Sequence, residues 1–258
     1  MTKPVESMRK EWNKRAQQNA FFYIASWRKD WDEKSFFDSG EVDYQRLVAP
    51  TLSQLYLSTE QSSVAELGCG AGRMTRAFAS RFFSVTAIDV SEEMQSRGRK
   101  LLSDYSNVNW VLTDGTSLAV IDSDSHDFVF SYLVLQHYPS VDLIALSIRE
   151  MMRILRPDGI FLFQFNGSHK PTMNWRGRAI STILDGLVSL GMSRLAKFCA
   201  KLVGIDPEML GKTWRGAALS YSLVEEIVRA AGGVPSGFAG VDTPLAWCFG
   251  RKNAQAAS

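Results

Sequence analysis

The sequence has few cysteines, and they are isolated from one another. Cys69, Cys199 and Cys248 form no Cys-x-x-Cys pair and stand in no cluster with histidine. A disulfide framework and a structural zinc site are therefore not expected, and a reducing compartment is favoured. The chain also lacks internal repeats and low-complexity segments. Its 258 residues suit one compact α/β domain with an appended cap.

Strong net charge and long apolar runs are missing as well. A net charge of +2 gives no reason to expect nucleic acid as a partner. The longest apolar run, residues 128–135, is interrupted by Ser131 and is far shorter than the ~20 residues of a membrane-spanning helix. Residues 1–12 contain no apolar core of a secretory signal. These absences predict a cytoplasmic protein without a membrane span.

One short run carries the most information: residues 64–73 read V-A-E-L-G-C-G-A-G-R. An apolar strand there turns past closely spaced glycines into a helix, which brings bare backbone against a ligand. The third glycine of a dinucleotide-binding G-x-G-x-x-G motif would stand at position 73, where this chain has Arg73. The Gly-Lys-Ser/Thr ending of a phosphate-binding P-loop is also absent. Glu66 would repel phosphate and hold an ammonium group, so the loop favours a zwitterionic, adenosine-bearing cofactor.

Apolar strands alternate with helical stretches along residues 64–166, which is typical of a doubly wound parallel sheet. The predicted strands lie at 64–67, 83–89, 109–114, 127–135 and within 155–165. Open α/β sheets bind ligands at the carboxyl ends of their strands. Asp89 closes the second strand, where a carboxylate can accept both hydroxyls of a ribose.

These motifs, in order over residues 52–166, resemble the class I S-adenosylmethionine-dependent methyltransferases, whose first motif is similar to E-L-G-C-G-A-G. The resemblance implies S-adenosylmethionine as the cofactor. Glu66 would hold its methionine amino group, Asp89 its ribose, and Asp114 with the following glycine would border its adenine. Arg73 is left with two roles, a contact to the cofactor carboxylate or a surface position in the first helical turn. The candidate cofactor-binding residues are Tyr23, Glu66, Gly68, Cys69, Gly70, Gly72, Arg73, Asp89, Val90, Met94, Asp114, Gly115 and Ser131.

Candidate catalytic and substrate-binding residues follow the fourth and fifth strands. His137 falls at the carboxyl edge of the sheet, and an imidazole can remove a proton from an acceptor hydroxyl or amine. The alternative is a histidine that only orients the pocket, and His169 is a rival for the same role. Gln136, Gln164 and Asn166 are placed to orient an acceptor.

Two absences bear on the acceptor. The place of an Asn-Pro-Pro-Tyr motif for amino-group methylation of nucleobases or glutamine reads S-Y-L-V. The acid cluster of a metal-dependent catechol-type site is also missing, so no metal is expected. The sequence therefore favours methylation of a small or medium-sized molecule at a hydroxyl oxygen, with nitrogen and carbon left open. A nicotinamide-dependent oxidoreductase and a non-catalytic cofactor-binding protein are the alternatives from other classes.

The core is preceded by a segment rich in aromatic side chains. Residues 1–51 are expected to form a helical segment over the mouth of the cofactor site, with a turn at 35–41 and a helix at 42–56. The candidate lid contacts are Trp12, Arg15 and Tyr23. Simple helix packing is the alternative role for these aromatic residues.

A helical cap is predicted after the fifth strand. The family's next helix is best placed only at 222–231, where Ser222 and Glu225 have the spacing of a capping box. Strands at 234–241 and 245–250 follow and complete a mostly parallel, seven-stranded sheet. The predicted units are an N-terminal segment at 1–51, a core at 52–166 and 221–252, a cap at 167–220 and a disordered tail at 253–258.

The cap is cationic, with a net charge of +5 against −3 for the rest of the chain. Helices are expected near 178–188 and 193–203. In the second helix, one face carries Arg194, Lys197 and Lys201, beside Leu195, Phe198 and Leu202. The alternatives are a solvated face, a guide for an anionic or amphiphilic acceptor, and contact with a membrane surface. The candidate acceptor contacts in the cap are Trp175, Arg176, Trp214 and Arg215, and anchoring of the cap is the alternative role for the two tryptophans.

Overall fold

The structure, a computed structural model, describes residues 3–167, 180, 183–184, 186–187, 192–203 and 216–254. A single seven-stranded sheet organises them, with the strand order β3-β2-β1-β4-β5-β7-β6. The strands are β1 (Ser63–Leu67), β2 (Ser84–Asp89), β3 (Val108–Leu112), β4 (His126–Ser131), β5 (Leu155–Phe165), β6 (Gly233–Ala239) and β7 (Ala246–Lys252). Strands β1 to β5 are parallel, whereas β7 is antiparallel to both β5 and β6. The predicted fold class is confirmed.

Helices cover both faces of the sheet. They are α1 (Lys3–Ile24), α2 (Glu33–Asp43), α3 (Ala49–Gln54), α4 (Thr75–Ala79), α5 (Glu92–Leu101), α6 (Val141–Ile154), α7 (Ser193–Leu202) and α8 (Tyr221–Ala230). A π-helical turn, Tyr44–Val48, joins α2 to α3, and a 3₁₀ turn, Leu135–His137, follows β4. No helix in these described parts of the chain is long and apolar enough to cross a membrane.

The core is divided by the sheet into two apolar layers. On β1, Ala65 and Leu67 belong to one layer, and Val64 belongs to the other. Alternation of this kind follows from the two-residue period of a strand with both faces buried. The parallel arrangement brings the carboxyl ends of β1, β2 and β4 to one edge, where their connecting loops meet.

Helix α1 lies over that edge. Its residues Ala16 and Ala20 pack on Ala71 and Met94, which belong to the first loop and to α5. The helix is broken at Asn19, whose backbone has φ −165° and whose side-chain oxygen accepts the N–H of Phe22. Asn19 thus acts as an N-cap for the last turn of α1.

The secondary structure predicted for the segment before the core differs from the observed one. Residues 35–41, predicted as a turn, lie in α2, because Asp32 caps that helix by accepting the N–H of Ser35 at 2.6 Å. The helix predicted at 42–56 is divided by the π-helical turn. The predicted boundary between residues 51 and 52 falls inside α3.

Three element ends also differ from prediction. Strand β4 stops at Ser131 instead of residue 135, because the chain turns at Leu133, which has φ +60°. Helix α8 is capped by Ser220, not by Ser222, since the Ser220 hydroxyl accepts the N–H of Leu223. Beyond β7, the Asn253 N–H still donates to the Gly232 carbonyl at 2.8 Å, so this residue of the predicted tail is tied to the sheet.

Candidate active site

The glycine loop connects β1 to α4 at the carboxyl edge of the sheet. Gly68, Gly70 and Gly72 have φ of +78°, +54° and +90°, a region that favours glycine. The Gly68 and Cys69 N–H groups both donate to the Ile88 carbonyl, at 2.7 and 2.9 Å. A Cβ on Gly70 would lie 2.8 Å from the Ile24 side chain of α1. The loop is therefore fastened to β2 below and covered by α1 above.

Asp89 braces this loop from the end of β2. One oxygen of its carboxylate accepts the Gly70 N–H at 2.8 Å, and the other accepts the Ser91 N–H at 2.8 Å. Burial raises the pKa of Asp89, against the opposing effect of these N–H groups. Each carboxylate oxygen keeps further acceptor capacity, so Asp89 can still receive hydroxyl groups of a ligand.

Glu66 is a second acid beneath the loop. Its side chain is 4% exposed, and the Thr75 hydroxyl donates to it at 2.6 Å. Burial raises the pKa of Glu66 to about 7, although the hydrogen bond from Thr75 and the charge of Arg73 oppose the rise. A cation beside Glu66 would favour its ionised form, so the site is electrostatically suited to an ammonium group.

Arg73 points away from the loop toward α2. It is 3% exposed and donates to the Asp43 carboxylate at 2.8 Å, with Trp27 and Tyr132 rings 5.3 and 5.5 Å from its guanidinium carbon. The expectation of a surface residue in the first helical turn is therefore wrong. Its guanidinium instead joins α2 to the start of α4.

The edge beside β3 forms a cleft under α1. Gly115 has φ +79°, and a Cβ there would lie 3.0 Å from Val90 and 3.3 Å from Met8 of α1. Asp114 turns back on its own loop, because its carboxylate accepts the N–H groups of Thr116 and Ser117, which lower its pKa. A flat ligand in this cleft would contact both apolar and polar side chains. The cleft is lined by Leu67, Thr113, Gly115, Thr116, Ser117, Leu118, Tyr138, Ser147 and Glu150.

Two of the predicted cofactor positions are structural supports. Ser131 is fully buried and donates its hydroxyl to the Leu67 carbonyl at 3.2 Å, which ties β4 to β1. Cys69 is buried, and burial raises the pKa of its thiol well above the usual value, so the reactive thiolate form is disfavoured.

A buried glutamine shapes the loop after β4. The Gln164 carbonyl oxygen accepts the Leu133 N–H at 3.1 Å, and its amide donates to the Gln136 side chain at 3.2 Å. The same amide donates to the backbone of Phe165 and Pro244. Gln164 therefore fixes the Leu133 backbone and the Gln136 side chain in the loop where acceptor contacts are predicted.

His137 belongs to a cluster with residues of α1. Its ring meets the Trp12 ring edge-on at 5.3 Å, and the Gln136 amide nitrogen lies 3.3 Å from its Nε2. The Arg15 guanidinium carbon lies 4.9 Å from the centre of the Trp12 ring and 5.7 Å from that of Tyr23. Arg15 is buried and also pairs with Glu11 at 2.6 Å. The structure thus brings together His137 and the three predicted lid residues.

The end of the cap returns to this cluster. The Gly216 N–H donates to the Gln136 carbonyl at 2.9 Å, and a Cβ on Gly216 would lie 2.2 Å from that oxygen. The Leu219 N–H donates to the Asn166 carbonyl at 2.9 Å. The predicted residues His169, Trp175, Arg176, Trp214 and Arg215 lie outside the described part of the chain.

Several residues of the site were not predicted from the sequence. Ser91 caps α5 and donates its hydroxyl to Asn13 of α1 at 2.7 Å. A serine directly before two glutamates is a recognisable helix start, so Ser91 carried a usable signal. Asp43 and Thr75 carried none, because their partners are distant in the sequence.

The other side chains of interest lie apart from this edge. His126 sits at the amino end of β4, 2.8 Å from the Thr86 hydroxyl, and burial lowers its pKa to about 4. Among the residues that the structure describes, no group of three or more His, Cys, Asp or Glu side chains could hold a metal ion.

A model of the methyltransferase domain matches residues 65–163, the stretch that builds this edge. Residues 65–163 are therefore a methyltransferase domain of the class I S-adenosylmethionine-dependent type. Its relatives include phosphoethanolamine N-methyltransferase of Triticum aestivum, which is 29% identical over 139 residues. That alignment covers 54% of this chain and 27% of the wheat protein, so the chain spans a minor part of that relative's length.

Solved structures share the fold of this chain. The N-methyltransferase NodS from Bradyrhizobium japonicum, in complex with S-adenosylhomocysteine, matches with TM-score 0.56 and 17% identity over 93% of this chain and 98% of that chain. Phosphoethanolamine N-methyltransferase 1 of Haemonchus contortus, in complex with phosphoethanolamine and S-adenosylhomocysteine, matches with TM-score 0.53 and 22% identity over 67% of this chain and 35% of that chain.

Proposed function

We propose that this protein transfers a methyl group from S-adenosylmethionine to an amine nitrogen of a small molecule. The observation that carries the proposal is the acid pair beneath the glycine loop. Asp89 is fixed by two N–H groups at the end of β2, and Glu66 is buried with a pKa of about 7. Both a zwitterionic nucleoside and a dinucleotide carry ribose hydroxyls that need an acceptor such as Asp89, but only the zwitterionic nucleoside also carries an ammonium group for Glu66.

S-adenosylmethionine, when bound, supplies an activated methyl group on a sulfonium. The residues of this chain hold and align it. Asp89 would accept the ribose hydroxyls, Glu66 would hold the amino group, and the loop glycines leave the backbone open along its length. Helix α1 covers the edge and excludes water.

A nitrogen acceptor replaces the hydroxyl oxygen that the sequence favours. All three relatives described above are named as N-methyltransferases. An amine is protonated at neutral pH, and its lone pair is free for methyl transfer only after a proton is removed. His137 is the residue we assign to that step, because it lies in the turn after β4, at the carboxyl edge of the sheet and beside Gln136.

Arg15 adds a further preference to the acceptor side. It is a buried cation set against the rings of Trp12 and Tyr23, within the same cluster as His137. Its guanidinium already pairs with Glu11 at 2.6 Å, and exchange of that partner for a carboxylate or a phosphate of a ligand would keep the buried charge neutralised. We therefore propose an acceptor that carries both an amine and an anionic group.

Calorimetry tests the cofactor. S-adenosylmethionine and S-adenosylhomocysteine should bind, and NAD should not. The Asp89→Ala variant should lose roughly 1.5–3 kcal/mol of binding free energy for each charge-assisted hydrogen bond removed. The exposed Asp104 provides a matched control, and Asp104→Ala should bind as the wild type does. Equal affinity of a folded Asp89→Ala variant would contradict the ribose assignment.

Methyl transfer to defined acceptors tests the reaction. Ethanolamine, phosphoethanolamine and a phosphorylated alcohol without an amine should be compared under the same conditions. The proposal expects transfer to phosphoethanolamine or a related anionic amine in preference to the alcohol, with weaker use of ethanolamine. Cofactor binding together with transfer to the alcohol alone would overturn the nitrogen assignment.

A further inference from the structure

Helix α7 in the cap has two apolar faces. The inner face is made of small residues, and Ala196 and Ala200 pack on Leu184. On the opposite side, Leu195, Phe198 and Leu202 face solvent, and Phe198 and Leu202 are 61% and 71% exposed. A helix that only covers a core needs one apolar face. The second face therefore requires a partner of its own.

The outer face forms a continuous stripe. Residues three and four apart are neighbours on a helix surface, so Leu195, Phe198 and Leu202 line up over two turns. Met192 and Val203, at the two ends of α7, are also exposed. Large apolar side chains grouped in this way mark an interaction surface, whereas single exposed ones are ordinary.

Cations flank this stripe, and α7 contains no acid. Arg194 and Lys201 are exposed and lie two turns apart, next to Phe198 on the helix surface. The surrounding cap has a net charge of +5, and the rest of the chain has −3. A complementary partner therefore offers an apolar region to the stripe and anionic groups to the flanking cations.

We propose that the outer face of α7 docks on the surface of an anionic phospholipid bilayer. Its ten residues span about 15 Å, enough to lie in the interface but not to cross it. Leu195, Phe198 and Leu202 would enter the boundary between headgroups and acyl chains, while Arg194 and Lys201 would contact lipid phosphates. A second copy of the chain fits less well, since a two-fold contact through this face would bring cations against cations.

Co-sedimentation of the full-length protein with phosphatidylcholine vesicles, with and without phosphatidylglycerol, tests the proposal. Two cations near a charged surface should give binding to the anionic vesicles that is about 25-fold stronger, at about five-fold per charge. The double change Phe198→Ser and Leu202→Ser should remove this binding. Arg194→Glu with Lys201→Glu should remove the preference for anionic lipid.

Phe83 provides a matched control, because it is a phenylalanine that is 71% exposed outside the cap. Phe83→Ser should sediment as the wild type does. The altered side chains are exposed, so the melting temperature should be unchanged in every variant. Absence of binding to anionic vesicles, or binding that the Phe198 and Leu202 changes leave intact, would overturn the proposal. So would a dimer in solution that Phe198→Ser dissociates, since that result would assign the face to a second copy.

Discussion

Arg73 and Asp43 form an ion pair, 2.8 Å between nitrogen and oxygen, in which both side chains are buried. The pair joins α2 to the residue that ends the glycine loop. A Cβ on Gly40 of α2 would lie 2.1 Å from the Arg73 carbonyl oxygen, so the two backbones are in direct contact. The loop that faces the cofactor is therefore held by a helix that lies outside the methyltransferase-domain match.

Removing one partner of this pair should be costly. Asp43→Ala would leave the Arg73 guanidinium buried without its carboxylate, and we expect a loss of about 3–5 kcal/mol in the free energy of unfolding. Arg46 also pairs with Asp43, at 2.8 Å, but its side chain is 66% exposed. Arg46→Ala should therefore cost at most about 1 kcal/mol. Urea denaturation of both variants measures the difference, and similar losses would show that the buried pair has no special role.

Glu66 should make the ligand-free protein less stable as the pH rises. Its pKa increases from 4.5 to about 7 on folding, so the folded state binds the proton more tightly than the unfolded state. That contribution is complete below pH 4.5 and is lost as the pH rises through about 7. The unfolding free energy should fall by about 3 kcal/mol across this window, and Glu66→Gln should flatten the decline.

Glu150 provides a control, because its pKa is lowered on folding whereas that of Glu66 is raised. Hydrogen bonds from Arg153 lower the pKa of Glu150, so its contribution is present at neutral pH and is lost as the pH falls. Glu150→Gln should therefore destabilise the protein most at high pH, where Glu66→Gln helps most. Denaturation curves at several pH values, without ligand, distinguish the two. A Glu66→Gln variant with the wild-type slope would show that Glu66 is ionised throughout.

His137→Ala should lower turnover about 10²–10⁴-fold and leave the affinity for S-adenosylhomocysteine unchanged. In the wild type, the rate should fall at low pH as the imidazole takes up a proton. His126→Gln is a control, since His126 lies at the opposite edge of the sheet and should not affect the pH profile. If His137→Ala keeps near-wild-type turnover, another group, such as His169, or solvent removes the proton from the acceptor.

Arg176 and Arg215 remain predicted acceptor contacts, and kinetics can test them. If they bind an anionic group, Arg176→Ala and Arg215→Ala should each raise the acceptor KM without changing the melting temperature or the cofactor affinity. If the adjoining tryptophans only anchor the cap, Trp175→Ala and Trp214→Ala should lower the melting temperature, and the arginine variants should behave as the wild type.

The sequence predicts the position of the glycine loop and of Asp89 because the signals for both are local. Glu66 and the glycines stand within one strand and its turn, and Asp89 ends the next strand. The direction of Arg73 depends on Asp43, thirty residues earlier, and no local pattern reveals that partner. The same holds for Gln164, whose bond to Leu133 helps the chain to leave β4 early.

The missed helix α2 has a different cause. Its serine, aspartate and glycine are turn-forming residues by propensity. Tertiary packing overrides that preference, since Phe36 and Phe37 are buried and Gly40 allows close approach to Arg73. A glycine that reads as a turn in the sequence is here a point of contact.

Gly68 has a consequence for how the family can vary at this site. A Cβ on Gly68 would lie 2.1 Å from a methyl carbon of Val134, just before the turn that carries His137. The loop that we propose holds the cofactor is therefore in direct contact with the loop that we propose holds the acceptor. Residues in contact generally show non-additive changes in free energy, so we expect the effect of a substitution at position 68 to depend on the residue at position 134. A homologue that changes the loop around Val134 to accept a new substrate must therefore keep the contact between that loop and Gly68.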